Sequence, residues 1–338
     1  MAFNGRFVLS MIHFAGRQGA DMRPLIKASG QRESELCQEA STLEAEYYNA
    51  VVTAAVEATR DPFFGLHFGE SMNMTAAGLV AQITQTSETI LQALQYACDF
   101  AQLACSSLPM TLTEEADCYK LTMTPEALWA QDSERAVGHT VDGTIVFIIN
   151  EFHELTRKKH YPLSIELPFS KPASTLEYER LFQCPVAFNQ KQIAVYFEKQ
   201  QLQEKVVTSD YNLLRILVAH AEERIAAINQ KRGFYEEVKV SVANLVKPEF
   251  PTIDQVASHL NLSTRTLQRR LSDEGHTFKE IIESLRRDFA LSYLKKPELS
   301  INEIACLLSY TDASAFIRSF RRWEKMTPNE YRKSLIKP

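Results

Sequence analysis

Arginine is the side chain that reads nucleic acid most directly, because its planar fork pairs bidentately with guanine O6 and N7 or with a phosphate. In this chain of 338 residues, arginines recur at one register of a pattern that occurs twice near the C-terminus. The first copy is IDQVASHLNLSTRTLQRRL and the second INEIACLLSYTDASAFIRSF. Ile253, Val256, Ala257, Leu260 and Leu262 match Ile301, Ile304, Ala305, Leu308 and Tyr310 at an offset of 48, and after the turn the offset is 49, pairing Ser263 with Asp312, Leu267 with Phe316 and Arg269 with Arg318. One residue has therefore been added inside the second turn. The outward positions of each second helix are Arg265, Gln268 and Arg269 in the first copy and Ser314 and Arg318 in the second.

The elements that must hold these side chains follow from the apolar spacing. Apolar residues at i, i+3 and i+7 make a short helix, a brief turn follows, and Ser263 or Asp312 caps the next helix. Ala257 and Ala305 are small enough to let the two helices cross closely. This is the pattern of a helix-turn-helix, whose second helix enters the DNA major groove. Between the copies, Phe278 to Leu294 is amphipathic throughout, a helix of roughly 25 Å at 1.5 Å per residue. It would hold the two reading helices at one separation, so a single chain can read two successive major grooves about 34 Å apart.

Residues Phe234 to Arg332 resemble the DNA-binding domain of the AraC/XylS family of bacterial transcription regulators, most specifically in SINEIACLLSYTDASAFIRSFRRWEKMTPNEYR. The resemblance implies an all-α domain with two helix-turn-helix units and base-reading positions at Arg265, Gln268 and Arg269, then at Ala313, Ser314 and Arg318. It also implies promoter DNA and RNA polymerase as partners, with activation or repression as the outcome. Two departures from that family's pattern are Ser309 and Lys325, where glycine is usual; a left-handed backbone there costs a lysine about 1 kcal/mol relative to glycine.

The length suits two domains, with a boundary expected at Gly233: residues 1–232, then 233–338. Net charge is −5, yet from residue 250 onward there are 15 Lys+Arg against 11 Asp+Glu, so the stretch carrying the repeat is locally positive. The N-terminal part reads as α+β. Helical spacing runs from Pro24 to Arg60 with a break near Gly30, and further helices are expected from about Thr75, from Thr89 to Leu108, from Asp132 to about Lys158 and from Asp210 to Lys231. LPMTLTEEADCYKLTMTP reads as a β-hairpin, PLSIELPF as a strand, and the stretch from Thr175 to Leu202 as a short helix and two strands. The matching residues DPFFGLHFGE, TSETILQALQYACDF and FQCPVAFNQKQIAVYFEKQQL are similar to the N-terminal sensor domain of AraC-family regulators of ornithine and arginine use. That resemblance implies a small-molecule effector, amino-acid-like or another small metabolite.

Other constellations carry less. Arg135 and His139 lie one helical turn apart and could jointly meet a carboxylate, or simply form a solvated helix face. His153, Glu154 and His160 lack the H-E-x-x-H spacing of a zinc hydrolase, and the six cysteines lack metal or disulfide spacing, so no metal, cofactor or catalytic residue is expected. FGLHFG is not a phosphate cradle, and packing is the expected role of His67. An alkyl-transfer DNA repair enzyme would need an activated cysteine beside histidine, which Cys184-Pro185 does not provide. Neither a signal peptide at the N-terminus nor a membrane span is expected, and the thiols suggest a reducing cytoplasm. Leu213, Leu214, Leu217, Ala221 and Ile225 form a stripe read either as core or as a contact for a homodimer or a neighbouring domain. A regulator controlled by dimerisation or a protein partner, without a small molecule, is the alternative function.

Overall fold

The structure, a computed structural model, describes residues 3–38, 41–72, 78–231, 233–246 and 249–335. They divide into two compact units: Met1–Pro125 with Ser133–Ile225, and Glu126–Asp132 with Ala226–Pro338. Gly233 is the N-cap residue of helix Phe234–Leu245, inside the second unit.

The first unit is α+β. Strands β1 (Phe3–Asn4) and β2 (Thr42–Leu43) form an antiparallel pair. The other five, β3 (Met110–Glu114), β4 (Cys118–Met123), β5 (Ser164–Glu166), β6 (Val186–Ala187) and β7 (Ile193–Glu198), make a mixed sheet of order β3-β4-β7-β5-β6. The expected hairpin is β3–β4, with Leu112 opposite Leu121. In β4 and β7 alternate residues Leu121, Met123, Ile193, Val195 and Phe197 are buried, the period-2 pattern of strands with one face on a core. Among the described strands, only β5 and β6 pair in parallel.

The helices differ from expectation in specific places. Gly5–Arg17, which sequence spacing left unassigned, is a helix that buries Val8, Leu9, Met11, Ile12, Phe14 and Ala15. Its polar residues sit at the edge: the Ser10 hydroxyl donates to Phe7 O at 2.8 Å, and His13 meets Glu33 at 3.1 Å. The helix expected over Thr89 to Leu108 is two, Ile90–Asp99 and Ala101–Ala104, separated at Phe100, whose φ of −105° and ψ of 11° are not helical. The expected start near Thr75 lies outside the described residues, and the helix is seen from Gly78 to Thr86.

Helix Glu134–Thr156 is the spine of this unit, with fourteen buried residues. Helix Phe64–Ser71 crosses it at backbone distance. A side chain at Gly65 would overlap His139 O, one at Gly69 would overlap Gly143 O, and one at Gly143 would come within 2.9 Å of Gly65 O. The glycines of FGLHFG therefore serve a helix crossing. His67 does more than pack: Asp61 lies 2.6 Å from its Nδ1 and Glu177 3.1 Å from its Nε2. Of the stripe on helix Tyr211–Lys231, Leu214 and Ala221 are buried with Val80, Ile83 and Phe100, and Leu217 and Ile225 pack against them. That side of the helix is core, whereas Leu213 is 43% exposed.

The second unit is all-helical among its described residues. One core unites Val256, Ala257, Leu267 and Leu271 of the first copy, Ile304, Ala305, Phe316 and Phe320 of the second, and Ile281, Leu285 and Phe289 between them. Fully burying one such side chain stabilises by about 1.5–3 kcal/mol. Helix Ala127–Asp132 belongs to this unit and packs on helices Phe234–Leu245 and Phe278–Leu294. The expected single element from Asp132 onward thus begins after a separate helix, the break marked by Ser133, whose side chain accepts from Ala136 N–H and caps the spine.

Candidate nucleic-acid interface and cavity

The two copies fold alike down to individual hydrogen bonds. Thr252 and Ser300 each begin a capping box, with Gln255 and Glu303 reaching back to the N-cap amide. Helices Ile253–His259 and Ile301–Leu307 end through a left-handed residue, Asn261 at φ 54° and Ser309 at φ 57°. Leu262 N–H then donates to Ala257 O at 2.8 Å, and Tyr310 N–H to Ala305 O at 2.9 Å. Only afterwards do the copies diverge: Ser263 caps Thr264–Asp273 directly, whereas Thr311 intervenes before Asp312 caps Ala313–Glu324. The inserted residue therefore leaves the turn geometry intact.

On the second helices, Leu267 and Leu271, or Phe316 and Phe320, face the core. Arg265, Gln268, Arg269, Ser314 and Arg318 are exposed, and Ala313 is half-buried. Neither helix has an acidic residue in its first turn, although the N-terminus of the second is capped by the Asp312 carboxylate, which accepts from Ala315 N–H at 2.8 Å. Three neighbouring arginines are engaged within the protein. Arg270 lies over the Phe234 ring at 3.8 Å and 4.0 Å from Glu237, Arg287 pairs with Glu324 at 2.5 Å, and Arg322 pairs with Glu283. Among the described residues, Arg265, Arg269 and Arg318 have no ion-pair partner.

Side chains between the copies brace the arrangement. The Arg286 guanidinium lies between the rings of Phe250 and Tyr310, at 5.2 and 5.0 Å. Arg332 donates to Leu294 O and Leu299 O, tying the last helix to the end of the central one. Lys325 is left-handed at φ 61°, the strained conformation anticipated for it.

The first unit contains a cavity of about 220 Å³. Its wall is largely apolar, with Phe7, Phe64, Phe68 and Phe147 among the lining side chains. The spine contributes His139, Thr140, Thr144 and Glu151. His139 Nδ1 accepts from Gly65 N–H at 3.3 Å, and burial pushes its imidazole down to about 4, so it is neutral near pH 7. Arg135, one turn away, does not line the cavity and lies 3.9 Å from Glu57. The residues Arg135 and His139 are therefore not brought to one site. Glu151, 7% exposed, was not anticipated from sequence, although an acid embedded in IVFIINEFHEL is a visible anomaly. Burial pushes its carboxyl up to about 7.

Comparison with known proteins gives the class. Residues 19–206 match the family described as the arabinose-binding domain of AraC transcription regulators, N-terminal, and residues 256–334 match a helix-turn-helix domain family. The chain belongs to the AraC family of transcription regulators, which are not enzymes. It is similar to the ornithine utilization regulator of Pseudomonas aeruginosa, 22% identical over 96% of this chain and 94% of that one. The urease operon transcriptional activator of Escherichia coli is 24% identical over 69% and 72% of the two chains. VirS of Mycobacterium tuberculosis is 43% identical over 27% and 28%. A crystal structure of the regulator CdpR from Pseudomonas aeruginosa aligns over 92% of this chain and 97% of that one, with TM-score 0.45 and 22% identity. No helix among the described residues is long and apolar enough to cross a membrane.

Proposed function

We propose that the protein is a ligand-responsive, sequence-specific transcription regulator acting in the cytoplasm. Residues 1–232 sense a small molecule, and residues 233–338 bind promoter DNA alongside RNA polymerase, each chain reading two adjacent major grooves. The observation that carries the DNA part is that Arg265, Arg269 and Arg318 are exposed with no ion-pair partner among the described residues, whereas Arg270, Arg287 and Arg322 are paired internally. An arginine held by a carboxylate contributes little to phosphate or base contact; one left free contributes both charge and a bidentate fork. The ligand part is supported by the apolar cavity, walled by the spine helix.

With an operator selected from random sequence, the full chain should protect two successive major grooves on one face of the duplex. Arg269→Ala should weaken operator binding by about 1–3 kcal/mol and relax preference at one base pair. Fluorescence anisotropy on operator and on scrambled DNA separates base reading from phosphate contact. Equal losses on both would assign Arg269 to the backbone.

A second reading, control through self-association without a small molecule, is favoured by exposed apolar residues. Tyr211 is 70%, Ile216 66% and Leu213 43% exposed on one helix.

A further inference from the structure

We infer that the cavity takes a small, largely apolar primary amine held by the carboxyl group of Glu151, and that this amine is the signal sensed; the inference rests on the ligand-responsive reading above.

The Thr84 hydroxyl oxygen lies 2.9 Å from Ala81 O and 2.5 Å from Glu151 Oε1. It has one proton for two acceptors and donates on the shorter contact, to Glu151. Burial outweighs that hydrogen bond and pushes the carboxyl up to about 7, so below that pH the carboxyl holds a proton of its own. Glu151 Oε2 has no hydrogen-bond partner among the described residues, and Glu151 borders the cavity.

Several other polar groups on the wall are committed within the protein. Thr140 donates to Ala136 O at 2.7 Å and meets the Tyr48 hydroxyl at 2.6 Å; Thr144 donates to Thr140 O at 2.7 Å. His139 Nδ1 is occupied by Gly65 N–H. The buried acceptor left for a ligand is Glu151, so the ligand must bring a donor. An amine does more than an alcohol there. It arrives as an ammonium ion and displaces the proton of Glu151 to water, and the product is a charge-assisted pair in apolar surroundings. The Thr84 hydroxyl goes on donating to the carboxylate. The remaining wall is apolar, and about 220 Å³ is below the roughly 300 Å³ at which pockets for drug-sized ligands begin. A short alkyl chain or a single ring suits that space.

Proton release gives the inference a pH signature. The other ionisable side chains on the wall are Arg6, Cys105, His139 and Arg224. Guanidinium and thiol groups in general do not change charge between pH 5 and 7, and His139, pushed down to about 4, stays neutral there. Glu151 therefore sets the slope.

The test uses the full chain with three isosteric probes, hexylamine, 1-hexanol and hexanoate, read by thermal shift and by calorimetry. Hexylamine should raise Tm, and its affinity should increase about tenfold per pH unit from pH 5 to 7 and then level. Glu151→Gln should weaken hexylamine at least tenfold at pH 8 while leaving 1-hexanol unchanged. Ala97→Leu, which fills the wall, should abolish binding of all three. Hexanoate binding more tightly than hexylamine, through Arg6 and Arg224, overturns the amine and leaves ligand sensing standing with an anionic effector. A flat pH profile for hexylamine on the unaltered chain overturns it equally, whether or not the Gln variant folds. No shift with any probe overturns it and also counts against sensing by this cavity, while the operator footprint still decides DNA binding independently.

Discussion

Asp142 is a carboxyl that the folded protein holds in the wrong solvent. It is 5% exposed, Tyr178 donates to its Oδ2 at 2.8 Å, and its Oδ1 has no partner among the described residues. Burial pushes its carboxyl up to about 7 from 3.8. Between those values the folded state keeps a proton that the unfolded state has lost, so stability falls as pH rises from about 4 to 7 and then levels. Glu151 acts in the same direction and over the same range. His67 adds to it: desolvation alone would lower it, yet Asp61 and Glu177 raise it, and its stabilisation is lost as pH rises through that raised value. His139 opposes, losing stability as pH falls below its unfolded value toward about 4. Asp142→Asn should therefore flatten the stability profile between about pH 4 and 7 and raise Tm at pH 8 by roughly 2–4 °C, the shift that about 1 kcal/mol produces in a unit of this size. Thermal midpoints from pH 5 to 9 check it, and an unchanged midpoint at pH 8 would mean that the carboxylate is tolerated. Asp142 was not legible in the sequence, because a single acid in a helical pattern reads as its solvated face, whereas the apolar run before Glu151 was a signal that went unused. The outward placement of Arg265 and Arg269 was legible because a second copy supplied their register.

At the scale of elements, the two helix-turn-helix units were readable almost residue by residue: small residues, caps and apolar spacing all agree locally. The N-terminal helix and the break at Phe100 were not. Ser10 and His13 interrupt an apolar stretch only when the stretch is read without its helical face, and the break at Phe100 lies inside an uninterrupted helical spacing. FGLHFG was read for phosphate binding and found unsuitable, while its G-x-x-x-G spacing marks the close crossing with the spine at Gly143. Gly69→Ala should cost about 1–3 kcal/mol, since the added methyl meets backbone that cannot move aside without shifting the spine. Chemical denaturation of the variant measures that cost, and a loss below about 0.5 kcal/mol would mean that the crossing relaxes freely.

For the whole molecule, self-association is the property most exposed to a direct test. A contact through Tyr211, Leu213 and Ile216 would bury side chains that now face water while leaving the core side of the same helix in place. Ile216→Glu should leave Tm nearly unchanged, because Ile216 is exposed, and should shift sedimentation toward monomer. A sedimentation profile independent of that substitution would place any contact elsewhere. The sequence showed the stripe on this helix without showing which of its sides was covered, since Leu213 and Leu214 are adjacent and equally apolar.

Helix Ala127–Asp132, with Trp129 fully buried, has a consequence for the order of assembly. The second unit is discontinuous in sequence, and its earliest helix precedes the rest by roughly a hundred residues. A bundle of helices ordinarily folds fast because its contacts are local; a piece recruited from so far upstream adds loop-closure entropy to the last step. During synthesis that helix emerges first and must wait for Phe234–Leu245 and Phe278–Leu294 before its tryptophan is covered. The second unit can thus complete its core only after the intervening residues of the first unit have been made, so no truncated chain ending inside that stretch carries a finished helix-turn-helix core.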